Sequence, residues 1–200
     1  MRLILKIIFN FIFTLFFRWQ VKGTENIPQD GGVIIAANHI SNFDPLIIGV
    51  PLKRKIHFMA KEELFVNPIL RYFIVNLGAF PVKRGAADRT AIRSAMSLLN
   101  EGKMLGMFPE GTRSKTGELG QAEQGLALIA AKTSATIIPT AIVGTNAVFK
   151  NGVILPKFYV RFGKPITTEK DKISREQLEK TTVAIMSDIA EMIQKIKAGH

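Results

Sequence analysis

Val33-Ile34-Ile35-Ala36-Ala37 runs without a break into Asn38-His39-Ile40-Ser41-Asn42-Phe43-Asp44. A short continuous apolar run has no side to show to water, so it reads as a buried strand. The polar block stands at that strand's end. Residues 45–50 then read as a helix, with Pro45 at its first position and Asp44 as N-cap. The alternation continues outward from there. Residues 61–77 are apolar and read as mostly helical, broken near Pro68. Strand 79–82 precedes helix 88–100, which Gly102 closes. Strand 104–108 delivers a second polar block, Phe108-Pro109-Glu110-Gly111-Thr112-Arg113-Ser114. Helix 124–132 is followed by strand 136–143, in which Pro139 predicts an edge, an end or a bulge. After strand 158–162, Ser174 and Gln177 form a capping box that opens the last helix. Strands alternating with helices predict an α/β fold with a mixed, largely parallel central sheet flanked by helices.

Composition narrows the function. The chain has 200 residues, 47% of them apolar, and no Pro/Gly/Ser linker, so it reads as one domain with a real core. It contains no cysteine, which removes disulfides, thiolate chemistry and cysteine-bound metals and agrees with a reducing compartment. The formal net charge of +11 suits nucleic acid, an anionic membrane face or a phosphorylated substrate. Nucleic acid is disfavoured: no zinc finger or aromatic RNA-binding signature is present, and only one Trp and two Tyr are available for base stacking. A merely solvated basic surface is the plainer alternative.

The N-terminus favours lipid. Residues 3–17 are almost wholly apolar, with polar residues at Arg2, Lys6, Asn10, Thr14 and Arg18. Spacing by four keeps neighbours on one helical face. At 1.5 Å per residue such a helix is about 22 Å long, short against a bilayer core of roughly 30 Å. It is therefore expected to lie amphipathically in the interface, cations toward phosphates and Phe toward acyl chains. A buried core helix is the competing reading. A cleaved signal peptide fits less well, because Lys6 interrupts the apolar centre and no small-residue cleavage site follows.

His39 and Asp44 are the candidate catalytic pair. On a continuous helix five residues turn through about 140°, at ~100° per residue, which would part them. Ser41-Asn42 and the Asp44-Pro45 step favour a turn that folds the carboxylate back onto the ring. Asp44 would then fix the tautomer, leaving Nε2 as a general base. The alternative is that Asp44 only caps the next helix. No Gly-x-Ser-x-Gly elbow and no His-Glu-x-x-His pattern occurs, so neither a serine nucleophile nor a metal site is indicated. His39 is then expected to activate a substrate hydroxyl. Lys83, Arg84 and Arg113 are the candidate anion clamp, Gly111 allows a tight turn, and Glu110 either holds Arg113 or binds an acceptor hydroxyl.

Together these blocks resemble the 1-acylglycerol-3-phosphate acyltransferases, also called lysophosphatidic acid acyltransferases. The motif Asn-His-x-x-x-x-Asp is matched by Asn38, His39 and Asp44, and a Gly-to-Arg segment by Gly78 to Arg84. Phe-Pro-Glu-Gly-Thr-Arg-Ser is matched at 108–114, and a hydrophobic-Pro-hydrophobic strand at 138–142. The amphipathic pattern sets off an N-terminal membrane helix (1–19), and the resemblance implies an acyltransferase domain (20–200) after it. It implies acyl transfer from acyl-coenzyme A or acyl carrier protein to the sn-2 hydroxyl of lysophosphatidic acid, without an acyl-enzyme, a cofactor or a metal. His39 would be the base and Asp44 its partner. Lys83, Arg84, Glu110, Gly111, Thr112 and Arg113 would bind the acceptor, and Pro139 would flank the acyl groove. The implied setting is peripheral or monotopic, at the cytoplasmic face of the cell membrane. Two departures stand out. Ala122-Glu123-Gln124-Gly125 lacks the cations many members carry there, and Thr140 stands where an apolar residue is common. Glycerol 3-phosphate or another lysophospholipid as acceptor, a lysophospholipid hydrolase and a non-enzymatic membrane-binding protein are the alternatives.

Overall fold

The computed structural model describes residues 2–82, 89–148, 155–168 and 174–199. In chain order the elements are α1 (Arg2–Phe17), β1 (Gln20–Lys22), β2 (Val33–Ala37), α2 (Asp44–Gly49), β3 (Ile56–Lys61), α3 (Pro68–Asn76) and β4 (Ala79–Val82). There follow α4 (Arg89–Asn100), β5 (Met104–Met107), α5 (Gly125–Thr133), β6 (Thr136–Val143), β7 (Tyr159–Phe162) and α6 (Arg175–Lys197). The seven strands form one sheet in the order β1-β7-β6-β2-β5-β3-β4. β6, β2, β5, β3 and β4 run parallel. β7 is antiparallel to β6 and carries β1 parallel beside it. This is the expected mixed, largely parallel sheet.

β2 lies in mid-sheet, and all five of its residues are 0% exposed. Its alternation divides the core. Val33, Ile35 and Ala37 face Phe13 of α1 and Ile47 and Ile48 of α2. Ile34 and Ala36 face Ala95 and Leu99 of α4, Leu126 and Ile129 of α5, and Ile185 and Ile189 of α6. Helices thus cover both faces, which is why the strand reads as an unbroken apolar run rather than an alternating one. Each buried Ile stabilises the fold by about 1.5–3 kcal/mol relative to exposure.

The structure adds two strands to the expected set and sharpens two other readings. β1 and β3 were not anticipated: β1 is three residues long, and β3 alternates buried Ile56 and Phe58 with half-buried neighbours, so neither forms an apolar run. The stretch 61–77, expected as mostly helical with a break near Pro68, is a 3₁₀ turn at Glu62–Phe65, a break, and then α3, which Pro68 opens. Asn67 caps it, Oδ1 accepting from Ile69 N–H and Leu70 N–H. Pro139 does not mark an edge, because β6 lies between β2 and β7. Of the three alternatives it marks the bulge. Between the Ile137–Ile166 bridge and the Thr140–Phe162 pair, Ile138 and Pro139 face residues 163–165. The missing amide of Pro139 therefore falls where the ladder is already interrupted.

α1 packs one face against the domain and leaves the other exposed. Phe13 is 3% exposed and packs against Trp19 and Phe158, while Phe17 stacks on Phe158 at 4.2 Å. Leu3, Ile4, Ile7, Phe11 and Leu15 point outward and are exposed. Of the expected polar stripe, Asn10, Thr14 and Arg18 are exposed and Lys6 is half-buried, and three of them make hydrogen bonds within the domain. Lys6 Nζ donates to the Leu52 carbonyl, Thr14 Oγ1 accepts from Trp19 Nε1, and Arg18 donates to the Leu155 carbonyl. Among the described residues no helix is long and apolar enough to cross a membrane.

Candidate active site

The parallel strands deliver the polar blocks to one edge of the sheet. His39 follows the C-terminal end of β2, and Pro109 and Glu110 follow that of β5. In open α/β sheets that edge is where ligands bind. Asn38 fastens the first block to β6: its Nδ2 donates to the Ile142 carbonyl at 2.9 Å, and its Oδ1 accepts from Ile142 N–H at 2.7 Å. The chain then turns sharply, as the Ser41-Asn42 step predicts, and His39 and Asp44 meet with Nδ1 and Oδ2 2.8 Å apart.

Asp44 begins α2 but does not cap it, which corrects the N-cap expectation. Its Oδ2 accepts from Ile40 N–H at 2.8 Å and Ser41 N–H at 2.7 Å as well as from the ring. Its Oδ1 accepts from the Thr145 hydroxyl at 2.7 Å. Four donors converge on this fully buried group, and an acceptor-only carboxylate matches all of them. The proton on Nδ1 is thereby assigned to the Asp44 side, and the lone pair of the neutral ring to Nε2. Phe108 stacks on the imidazole with centroids 3.9 Å apart and planes 13° apart, and Phe58 backs Phe108. The ring is held on one face by an aromatic and at one edge by a carboxylate.

The second block locks onto the first. His39 N–H donates to Glu110 Oε1 at 2.9 Å, and Ser114 N–H donates to the His39 carbonyl at 2.8 Å. Glu110 Oε2 accepts from Gly120 N–H at 2.8 Å. Both carboxylate oxygens of Glu110 thus bond backbone amides, and the expected Glu110–Arg113 pair does not form. Gly111 makes the tight turn, at φ 67°. Thr112 and Arg113 are exposed beside it, and among the described residues Arg113 has no ion-pair partner. A shallow depression of 260 Å³ opens over Glu110, Thr112, Ser114, Thr116 and Gly120. Lys83 and Arg84 lie outside the described residues; β4, which leads to them, ends at Val82. Pro139 is buried in β6, in register with Ala36. Thr140 satisfies its hydroxyl on the Ile138 carbonyl, so the polar departure costs no orphaned group.

One residue of this site and one contact of another escaped the sequence reading. Thr145 lies 101 positions from Asp44, and nothing local links them. Asn38 was quoted as a motif residue, but its clasp on Ile142 spans 104 positions. Among the described residues no cluster of three or more His, Cys, Asp or Glu side chains could hold a metal.

With this geometry in view, comparison with known proteins is direct. Residues 18–143 match the acyltransferase family. The chain is 34% identical to the 1-acyl-sn-glycerol-3-phosphate acyltransferase of Bacillus subtilis, over 88% of this chain and 89% of that one. It is 30% identical to the enzyme of the same name from Borreliella burgdorferi, over 88% and 72% respectively. The crystal structure of the 1-acyl-sn-glycerophosphate acyltransferase PlsC from Thermotoga maritima superposes with a TM-score of 0.79 at 29% identity, covering 98% of this chain and 80% of that one. Motif blocks, fold and overall similarity agree, and the chain belongs to the acyltransferase family.

Proposed function

We propose that this protein transfers a fatty acyl group from an acyl thioester to the sn-2 hydroxyl of lysophosphatidic acid, giving phosphatidic acid. The observation that carries the reading is the buried His39–Asp44 pair, 2.8 Å apart at the sheet edge beside an exposed Arg113. Nε2 of His39 takes the hydroxyl proton as the oxygen attacks the thioester carbonyl carbon. The tetrahedral intermediate collapses by breaking the C–S bond, and the departing thiolate recovers the proton from the imidazolium. Such base catalysis contributes typically 10²–10⁴ in rate. Asp44 holds the ring and balances its developing charge. Arg113, with Lys83 and Arg84, binds the acceptor's phosphate; Gly111 and Thr112 line its approach. Glu110 acts here through the backbone it joins. Pro139 flanks the acyl groove. The donor is acyl-coenzyme A or acyl carrier protein.

Membrane contact follows from the same reading. The outward face of α1 presents Ile4, Ile7, Phe11 and Leu15. None of the nine residues of α3 is buried, and its Ile69, Tyr72 and Phe73 are exposed next to Val66. Apolar patches of this kind on a protein of net charge +11 suit an anionic lipid surface, with the enzyme peripheral or monotopic at the cytoplasmic face. The test is an acceptor panel: purified protein with lysophosphatidate, glycerol 3-phosphate and lysophosphatidylcholine, each with both donor types. Preferential acylation of lysophosphatidate supports the reading. Preference for glycerol 3-phosphate or lysophosphatidylcholine reassigns the acceptor, and release of free fatty acid alone overturns acyl transfer.

A further inference from the structure

We propose that Thr145 is a positioning residue for the base: its hydroxyl orients the Asp44 carboxylate and, through it, the His39 ring. The inference rests on the reading of His39 as general base. The two oxygens of Asp44 are held unequally. Oδ2 has three N–H donors, from His39, Ile40 and Ser41. Oδ1 has the Thr145 hydroxyl, at 2.7 Å. The carboxylate torsion is broad and roughly two-fold, so contacts at one oxygen leave the plane of the group loosely defined. A donor at the second oxygen fixes that plane, and with it the direction of the bond to Nδ1. Asp44 is 0% exposed, so no solvent stands ready to replace the hydroxyl.

The local chain is built to present this hydroxyl. Gly144 leaves β6 at φ 96°, and a Cβ there would lie 2.0 Å from the Lys157 carbonyl oxygen, so only glycine fits. The turn Thr145–Ala147 follows, closed by Ala147 N–H on the Gly144 carbonyl, and puts Thr145 at 1% exposure. The next residue, Asn146, sits against Gly117 in the loop behind Arg113, where a Cβ would lie 2.5 Å from its Nδ2. One turn therefore touches both the carboxylate of the pair and the loop that carries the anion site. Threonine suits the position because its hydroxyl donates while its methyl fills space.

The test compares Thr145→Val and Thr145→Ser, with Thr145→Ala and His39→Ala alongside. Each is assayed for kcat and acceptor KM on lysophosphatidate, for its melting temperature, and for the far-downfield proton resonance of His39 Nδ1–H. Losing a hydrogen bond to a charged group predicts a fall of about ten- to hundredfold in kcat for Thr145→Val. Acceptor KM should stay within about twofold of the parent, the downfield resonance should shift or vanish, and Thr145→Ser should recover most of the turnover. If Thr145→Val does not fold, Thr145→Ser against Thr145→Ala isolates the same hydroxyl. Thr145→Val with parental turnover and an unmoved resonance overturns the proposal. So does a Ser variant no better than Val or Ala. An active His39→Ala would instead overturn the reading beneath it, so the two failures are separable.

Discussion

Replacing Asp44 by Asn tests the electrostatics of the pair while keeping its shape. The amide has one acceptor oxygen and one donor nitrogen. Three N–H groups point at Oδ2 and a rotatable hydroxyl at Oδ1, so the variant can put its oxygen toward His39 and its NH₂ toward Thr145. The hydroxyl then turns to accept, and the fold survives. What disappears is the charge. At 2.8 Å and an effective dielectric of ~20, the attraction between imidazolium and carboxylate is about 6 kcal/mol, an upper bound. A single hydrogen bond to a charged group is worth about 1.5–3 kcal/mol, a lower bound. At 1.36 kcal/mol per decade these bracket a loss of roughly 10¹ to 10⁴ in kcat. The assay is thiol release from the acyl donor with lysophosphatidate as acceptor, beside a melting curve. Asp44→Asn that melts normally and turns over at the parental rate refutes the argument.

Other substitutions address the remaining parts of the account. If Arg113 binds the acceptor's phosphate as proposed, Arg113→Ala should raise acceptor KM about ten- to hundredfold and leave donor KM nearly unchanged; a rise confined to the donor would move Arg113 to the thioester site. Changing Ile4, Ile7, Phe11 and Leu15 to Ser should reduce co-sedimentation with anionic vesicles and lower activity on long-chain more than on short-chain acceptors. Phe13 remains in place, so the melting temperature should hold; undiminished vesicle binding would point to α3 as the anchor. Burial, and then the neighbouring Glu191, raise the pKa of Asp188 above its ordinary value of 3.8. The folded chain therefore binds that proton more readily than the unfolded chain, and stability falls as pH rises through the carboxylate range. Asp188→Asn should gain in melting temperature relative to the parent as pH rises above about 4; a constant difference would contradict this.

Periodicity found β2, β4, β5, β6 and β7 and the helices with one apolar face; for β2, burial on both sides writes a continuous apolar run at 33–37. It missed β3, whose Ile56 and Phe58 are interleaved with residues that stay partly exposed. It missed β1, too short to carry a period. Within the site, His39 and Asp44 were legible because only five positions separate them and the intervening residues favour a turn. Glu110 was legible as a site residue but not in its contacts, because its partners are backbone amides, which leave no trace in side-chain identity. Thr145 and the Asn38 clasp were invisible for a related reason: each closes a loop of about a hundred residues and depends on sheet order, which no local pattern encodes. The outward apolar face of α1 and its packed face are both apolar, so spacing alone did not separate membrane contact from core.

The central claim is that His39 Nε2 removes the acceptor's proton. It is tested most directly by phosphatidic acid formation from lysophosphatidate and an acyl thioester, with parent and His39→Ala proteins compared at matched fold and matched vesicle binding. The account predicts a fall of at least about 10² in kcat for His39→Ala, with acceptor KM little changed. A folded His39→Ala protein that makes phosphatidic acid at close to the parental rate would contradict it.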